Sequence, residues 1–255
     1  SNGLDACLPL WVREGGLEPM LARLNDRSLR DRIKREMADP NVKEWENQWY
    51  GSGGAAGVML SAVVEPALKQ YEGMNFEQIG AAMKKDPRDA VMDIVVADRA
   101  RSDVIISIMD ERDVKTALAH PFMSIGTDSG ARAADGPLSG SKSHPRGWGS
   151  FPRILAKYVR EERLLTLEEA VRRFTSRPAW RVGIKDRGIL RPGMKADITI
   201  FNPATVRDVA TFEDPGRYAE GISYVLVNGQ AVIDSGKITE ARPGEVIRGP
   251  GYKKQ

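Results

Sequence analysis

Val104-Ile-Ile-Ser-Ile108, then Glu111 to Ala119, then Phe122-Met-Ser-Ile-Gly-Thr-Asp128 decide how the chain is read. The first stretch is β-branched and apolar, as in a strand buried on both faces of a parallel sheet. The second has helical spacing. The third is another short apolar run, predicted to be a buried strand that ends at Thr127-Asp128. A loop rich in Gly, Ser and Pro follows from Ser129 to Ser150, and a helix is predicted from Phe151 to Glu162. Strand, helix, strand, long loop and helix are the grammar of a parallel α/β barrel or sheet.

Upstream of this core the chain reads as mostly helical. Leu17 to Leu24 forms a short helix. Asp26 is placed to cap a helix from Arg27 to Met37, with Leu29, Ile33 and Met37 on one face, and Asp39-Pro40 stops it. Val58 to Val64 is a candidate buried strand. Phe76 to Lys84 is helical, and Asp86-Pro87 opens a further helix running to about Asp98, with proline near its first position. Downstream, Thr166-Leu-Glu-Glu169 has the form of a capping box, and its helix stops near Pro178. The tail changes character. Ala196 to Phe201 alternates like a strand, and Tyr224 to Val227, Asn228-Gly229 and Ala231 to Ile233 spell a hairpin. A boundary falls between Trp180 and Leu190, giving residues 1–182 and 183–255.

Composition narrows the function classes. With 255 residues, 41% hydrophobic and 29% charged, the chain can bury a sizeable core. Its 38 basic and 35 acidic side chains leave a net charge of +3, and the charges are interleaved, as in Arg27 to Glu36. That argues against a nucleic-acid stripe or a membrane-binding face and for solvated helix surfaces. No apolar run approaches the ~20 residues of a membrane span, and a cytoplasmic location is the expectation. Cys7 is the single cysteine and reads as a buried apolar thiol. The opening Ser1-Asn-Gly-Leu reads like the interior of a longer protein.

Asp128 is the first chemical candidate, because catalytic groups of α/β barrels sit on the loops that leave the C-terminal ends of strands. A carboxylate capping the loop or a helix is the structural alternative. The long loop ends in His144-Pro145-Arg146 just before a helix. A guanidinium there could hold a substrate carboxylate through two parallel N–H bonds, but from its position alone pairing with a surface acid is the favoured reading. His120 ends a helix, which explains it without a ligand role. His120 and His144 are the only histidines, whereas catalytic zinc commonly takes three protein ligands. Gly51-Ser-Gly-Gly54 lacks the Lys-Ser/Thr of a phosphate loop. Trp45, Trp49 and Trp148 are core or pocket aromatics.

Three stretches carry a resemblance: Ala119 to Gly130 with His-Pro-Phe-Met-Ser-Ile-Gly-Thr-Asp; His144-Pro-Arg-Gly-Trp-Gly-Ser-Phe-Pro-Arg-Ile-Leu155 running into Tyr158 to Glu162; and Leu164 to Pro178 followed by Asp186-Arg-Gly-Ile-Leu-Arg-Pro-Gly-Met-Lys-Ala-Asp197. In order and spacing they resemble the C-terminal part of the D-aminoacylases, the N-acyl-D-amino-acid deacylases of the amidohydrolase superfamily. Phe201-Asn-Pro203 and Val227-Asn-Gly229 are similar to the β domain that ends many amidohydrolases. The resemblance implies an α/β fold, the C-terminal portion of a distorted TIM-like (β/α) barrel over 1–182 followed by a small sandwich-type β module over 183–255. It implies that Asp128 contacts a zinc site, takes a proton from the attacking water and passes it to the leaving amine. It implies that Arg146 grips the carboxylate of an N-acyl-D-amino acid, and it puts His144 beside that substrate-binding residue without a defined role. The family's His-x-His pair, cysteine ligand and further histidine ligands have no counterpart here, and Cys7 lies too late to match. Residues 1–182 also fall short of the ~250 that a whole barrel takes. The expectation is therefore a zinc-dependent linear amidase in a longer parent, with weak or no zinc binding by this chain alone. A dihydroorotase- or hydantoinase-like cyclic amidase and a non-catalytic binding piece are the rival readings.

Overall fold

The computed structural model describes residues 2–131, 133–135, 139–140, 142–249 and 251–253. The chain forms two compact units that interleave along the sequence. One holds residues 1–110, 133–144 and 211–216; the other holds 111–132, 145–210 and 217–255.

The first unit contains β1 (Asn2–Gly3), α1 (Leu10–Arg13), α2 (Leu17–Asn25), α3 (Arg27–Ala38), α4 (Gln48–Gly51), β2 (Val58–Ala62), α5 (Phe76–Met83), α6 (Pro87–Ala97) and β3 (Asp103–Ile106). The helices start where the sequence puts caps. The Asp26 carboxylate accepts the Ser28 N–H at 2.9 Å, and Asp86 accepts that of Arg88 with Pro87 at the first helical position. Asn75 and Gln78 form a reciprocal capping box on α5. Leu24, Ile33, Met37, Phe76, Ile79, Met92 and Ile94 are fully buried with Val58 and Leu60 of β2, so the amphipathic helices close over a small sheet. Cys7 is buried here, and burial pushes its thiol up to about 12, which leaves it inert.

The sheet corrects one expectation. β3 lies between β1 and β2 and is antiparallel to both, with Leu60 opposite Val104. A four-residue β-branched run carries no mark of strand direction, so its sequence fits either ladder.

The second unit contains α7 (Glu111–Ala119), α8 (Arg146–Arg153), α9 (Leu167–Phe174), α10 (Ser176–Arg181), β4 (Ile198–Phe201), β5 (Ile222–Val227), β6 (Gln230–Asp234) and β7 (Lys237–Ile238). α8 begins before the predicted Phe151, includes Pro152, and widens into a π-helix over Ile154–Glu161. Proline removes one N–H from the ladder, and π turns are uncommon outside such irregular places. The four strands form one antiparallel sheet in sequence order. Its hairpin turns at Asn228 and Gly229, both with positive φ, as a two-residue primed turn requires. The Asn228 N–H donates to Asp197 at 2.8 Å, and the Arg187 guanidinium bridges Asp197 and the Asn228 side chain. These bonds explain why the stretch from Asp186 to Asp197 travels with the hairpin. Gly188, at φ 86°, passes so near the backbone of Thr175 and Ser176 that an added Cβ would lie 3.2 Å away.

A second expectation fails. Phe122 closes a turn after α7, residues 122–126 join no ladder among the described residues, and Phe122 is 76% exposed. The stretch and β3 belong to different compact units. What ties it instead is the Ile125 N–H, which donates to the carbonyl of Arg173 on α9 at 3.3 Å.

Candidate active site

Asp128 follows that stretch. Its backbone is in the left-handed region, with φ 47°, a conformation that costs a non-glycine residue little only when it is Asn or Asp. The turn throws its carboxylate into solvent, with the side chain 90% exposed. Arg146 is the first residue of α8, and its Nη2 lies 2.9 Å from the Asp128 carboxylate, its own side chain 32% exposed. Two residues 18 positions apart in the sequence, both singled out from it, thus meet as an ion pair. With Asp128 so exposed, the pair is worth under ~1 kcal/mol, so the Asp128 carboxylate exchanges readily for a ligand group.

Two glycines let α8 reach this place. A Cβ on Gly147 would lie 2.6 Å from the Ser129 hydroxyl, next to Asp128 in the chain. A Cβ on Gly149 would lie 2.8 Å from the Asp208 Cβ, and Arg153, one turn on, reaches the Asp208 carboxylate at 3.4 Å. The Gly-Trp-Gly of the motif is therefore a close-approach surface between two loops.

His144 belongs to the other unit, where its ring packs edge-on against Phe212 at 5.1 Å. Arg132, Gly136 to Leu138 and Ser141 of the long loop lie outside the described residues. His120 rests at the end of α7 against the Phe122 ring, at 5.3 Å. Trp49 is core, packed edge-on against Phe76. Trp148 lines an apolar cavity of about 640 Å³ in the second unit, with Phe151, Phe174, Phe201, Tyr218 and Ile222.

Among the described residues no three His, Cys, Asp or Glu side chains are grouped as a metal site. The Asp128 carboxylate has the right chemistry for one oxygen ligand of zinc, but one donor does not hold the ion.

Sequence reasoning missed two clusters. Glu111 accepts from Lys157 at 2.6 Å and from the Tyr158 hydroxyl at 2.8 Å. Burial first, then that bond to Glu111, pushes the Tyr158 phenol up to about 12. Glu169 accepts from both Arg172 and Arg173, whose guanidinium groups, Arg172 first, hold its carboxyl down to about 2. The i, i+3 and i, i+4 spacing of the latter was visible in the sequence; the burial of Arg173, 3% exposed, was not.

A mixed α/β chain with an acid–guanidinium pair displayed at a helix start is a candidate for polar hydrolytic chemistry. Residues 88–233 match the amidohydrolase family, and the chain belongs to that family. It is 37% identical to the N-acyl-D-aspartate deacylase of Alcaligenes xylosoxydans xylosoxydans over 69% of its own length and 33% of that protein's. Among solved structures it is similar to the N-acyl-D-glutamate deacylase of Bordetella bronchiseptica, complexed with zinc and a phosphonate mimic of the tetrahedral intermediate. That match has 35% identity and a TM-score of 0.61, covering 72% of this chain and 36% of that one. A dihydroorotase of Lactobacillus acidophilus is more distant, at 28% over 52% of this chain. The chain spans about a third of the length of the deacylases it matches.

Proposed function

We propose that this chain is the C-terminal part of an N-acyl-D-amino-acid deacylase, which hydrolyses the linear amide of its substrate to a carboxylate and a free D-amino acid. The observation that carries the reading is the Asp128–Arg146 pair, 2.9 Å apart with the Asp128 carboxylate open to solvent. The deacylase likeness supports it over a cyclic amidase. Residues 1–182 would be the partial (β/α) barrel and residues 183–255 the sandwich-type β module.

In this reading Arg146 takes the substrate carboxylate in a two-bond fork. The amide is thereby held with its carbonyl carbon beside the attacking water. Asp128 accepts the proton that the water loses as its oxygen bonds to that carbon. Asp128 then delivers the same proton to the nitrogen as the C–N bond breaks, so that the amine leaves neutral. Asp128 would be one oxygen donor to a bound zinc, whose Lewis acidity would make the water a nucleophile at neutral pH. The chain alone supplies the proton carrier and the carboxylate clamp.

The test is zinc content and turnover of N-acetyl-D-amino acids, in this chain and in a version extended upstream to the length of its relatives. Turnover in the extended version, falling by roughly a hundredfold or more in Asp128→Asn, is the expected result. Preference for cyclic amides, or an Asp128→Asn variant with intact turnover, overturns the reading. Stoichiometric zinc in the short chain overturns the assignment of the missing ligands upstream.

A further inference from the structure

The segment from His120 to Asp128 has no ladder to hold it among the described residues, yet a proton carrier must be placed to within about 1 Å to be effective. Its first bonds are local: the His120 N–H donates to Ala117 and that of Met123 to His120. Besides the Asp128–Arg146 ion pair and the Arg177 guanidinium over the Phe122 ring, its tie to the rest of the unit is Arg173. Its carbonyl accepts the Ile125 N–H at 3.3 Å, three residues before Asp128. Its guanidinium donates to the carbonyl of Leu118, in the last turn of α7, where helix carbonyls lack partners. Its Nε donates to Glu169 at 2.6 Å, four residues earlier on α9. The side chain is 3% exposed.

We propose that Arg173 is a positioning residue for Asp128, clamping both sides of the segment that carries it: the end of α7 through its guanidinium and Ile125 through its carbonyl. The proposal rests on Asp128 being the proton carrier. A buried cation is a costly way to fill space, and here each of its assignable bonds lands on α7 or on the carboxylate that orients it. Leu118 packs with Leu155, Tyr158 and Ala170 in the core of the same unit, with Ile125 against them, so the clamp is fixed at its base. Arg172 provides an internal control. It shares Glu169, with bonds of 2.7 and 2.8 Å, but is 42% exposed, and no hydrogen bond joins it to Leu118 or Ile125 among the described residues.

Two measurements test this. In the 255-residue chain, amide exchange is followed in wild type, Arg173→Met, Arg173→Lys and Arg172→Met. Exchange over residues 122–129 is expected to quicken by roughly tenfold in Arg173→Met, and by less in Arg173→Lys, which keeps the charge but not the fork, while α9 and the β4–β7 sheet hold their protection. Arg172→Met is expected to match wild type. In the upstream-extended enzyme, Arg173→Lys is expected to lower kcat by about tenfold with KM within about twofold, because the clamp on the substrate carboxylate is untouched. Unchanged exchange at 122–129, loosening spread evenly over the unit, or equal loosening in Arg172→Met overturns the proposal. So does an intact kcat in Arg173→Lys beside an inactive Asp128→Asn. Intact turnover in Asp128→Asn instead sinks the role of Asp128, and the exchange result then stands as a structural clamp alone.

Discussion

A methyl group at position 149 has nowhere to go. It would meet the Asp208 Cβ at 2.8 Å, a root atom that moves only with its backbone. Gly149→Ala should therefore cost about 1–3 kcal/mol, as overpacked sites do, measured as a lowered urea midpoint at unchanged slope. Gly147→Ala meets the Ser129 hydroxyl, which can rotate away, so it should stay within about 1 kcal/mol of wild type, helped by the helix propensity of alanine. Equal costs at the two positions would contradict the packing described for α8. At this scale the site was half legible. Asp128 and Arg146 stood out because each sits where a loop meets an element, and they do meet. His144, next but one to Arg146, went to the other unit, because adjacency in sequence does not settle which core a loop residue joins. Arg173 stayed hidden because Glu169, Arg172 and Arg173 together look like an ordinary solvated face, and only packing shows that one of the two arginines is inside.

Helices and most strands were readable, including β2, β4 and the β5–β6 hairpin, but strand pairing was not, for a physical reason. Caps are local: Asp26, Asn75, Asp86 and Thr166 each bond an N–H two or three residues on, so the sequence contains both partners. A strand's partner is elsewhere, and neither the direction of β3 nor the missing ladder at Phe122 to Gly126 is encoded in the run itself. α9 also shows how a cap can be redirected. Thr166 accepts the Glu169 N–H at 3.2 Å as a capping box predicts, but the Glu169 carboxylate turns to Arg172 and Arg173 instead of back to Thr166. That choice sets a pH dependence. The folded carboxyl is held down to about 2 against an ordinary value of 4.5. Its stabilising contribution is complete above 4.5 and is lost as pH falls through about 2. Glu169→Gln should accordingly lower the Tm at pH 7, and the gap to wild type should close progressively below pH 4.5. A gap that stays constant down to pH 2 would mean that the ion pairs contribute nothing.

At the scale of the whole chain, several large apolar side chains reach solvent. Trp180 and Leu190 are each 78% exposed, with Val182 and Ile189 also open between them in sequence, and Phe122 lies in the same unit. That unit also holds the apolar cavity beneath Trp148 and Phe174. Contiguous exposed apolar surface beyond a few hundred Å² is unusual for a monomer and drives association. The charge balance does little to oppose it, since a net +3 spread over 255 residues gives weak self-repulsion. The chain expressed alone should therefore self-associate at micromolar concentration. Sedimentation velocity should show the coefficient rising with protein concentration, and a fluorescent dye that reports apolar surface should light up on the folded chain. The double variant Trp180→Asp/Leu190→Asp should reverse both signals without moving the far-ultraviolet circular dichroism, because neither side chain is in the core. A monomer that ignores both the concentration and the dye would mean that the stretch from Trp180 to Leu190 is covered in solution by the chain itself. The same measurement on the upstream-extended version then separates surface that the added segment covers from surface that stays open: dye binding should fall where it packs and persist where it does not.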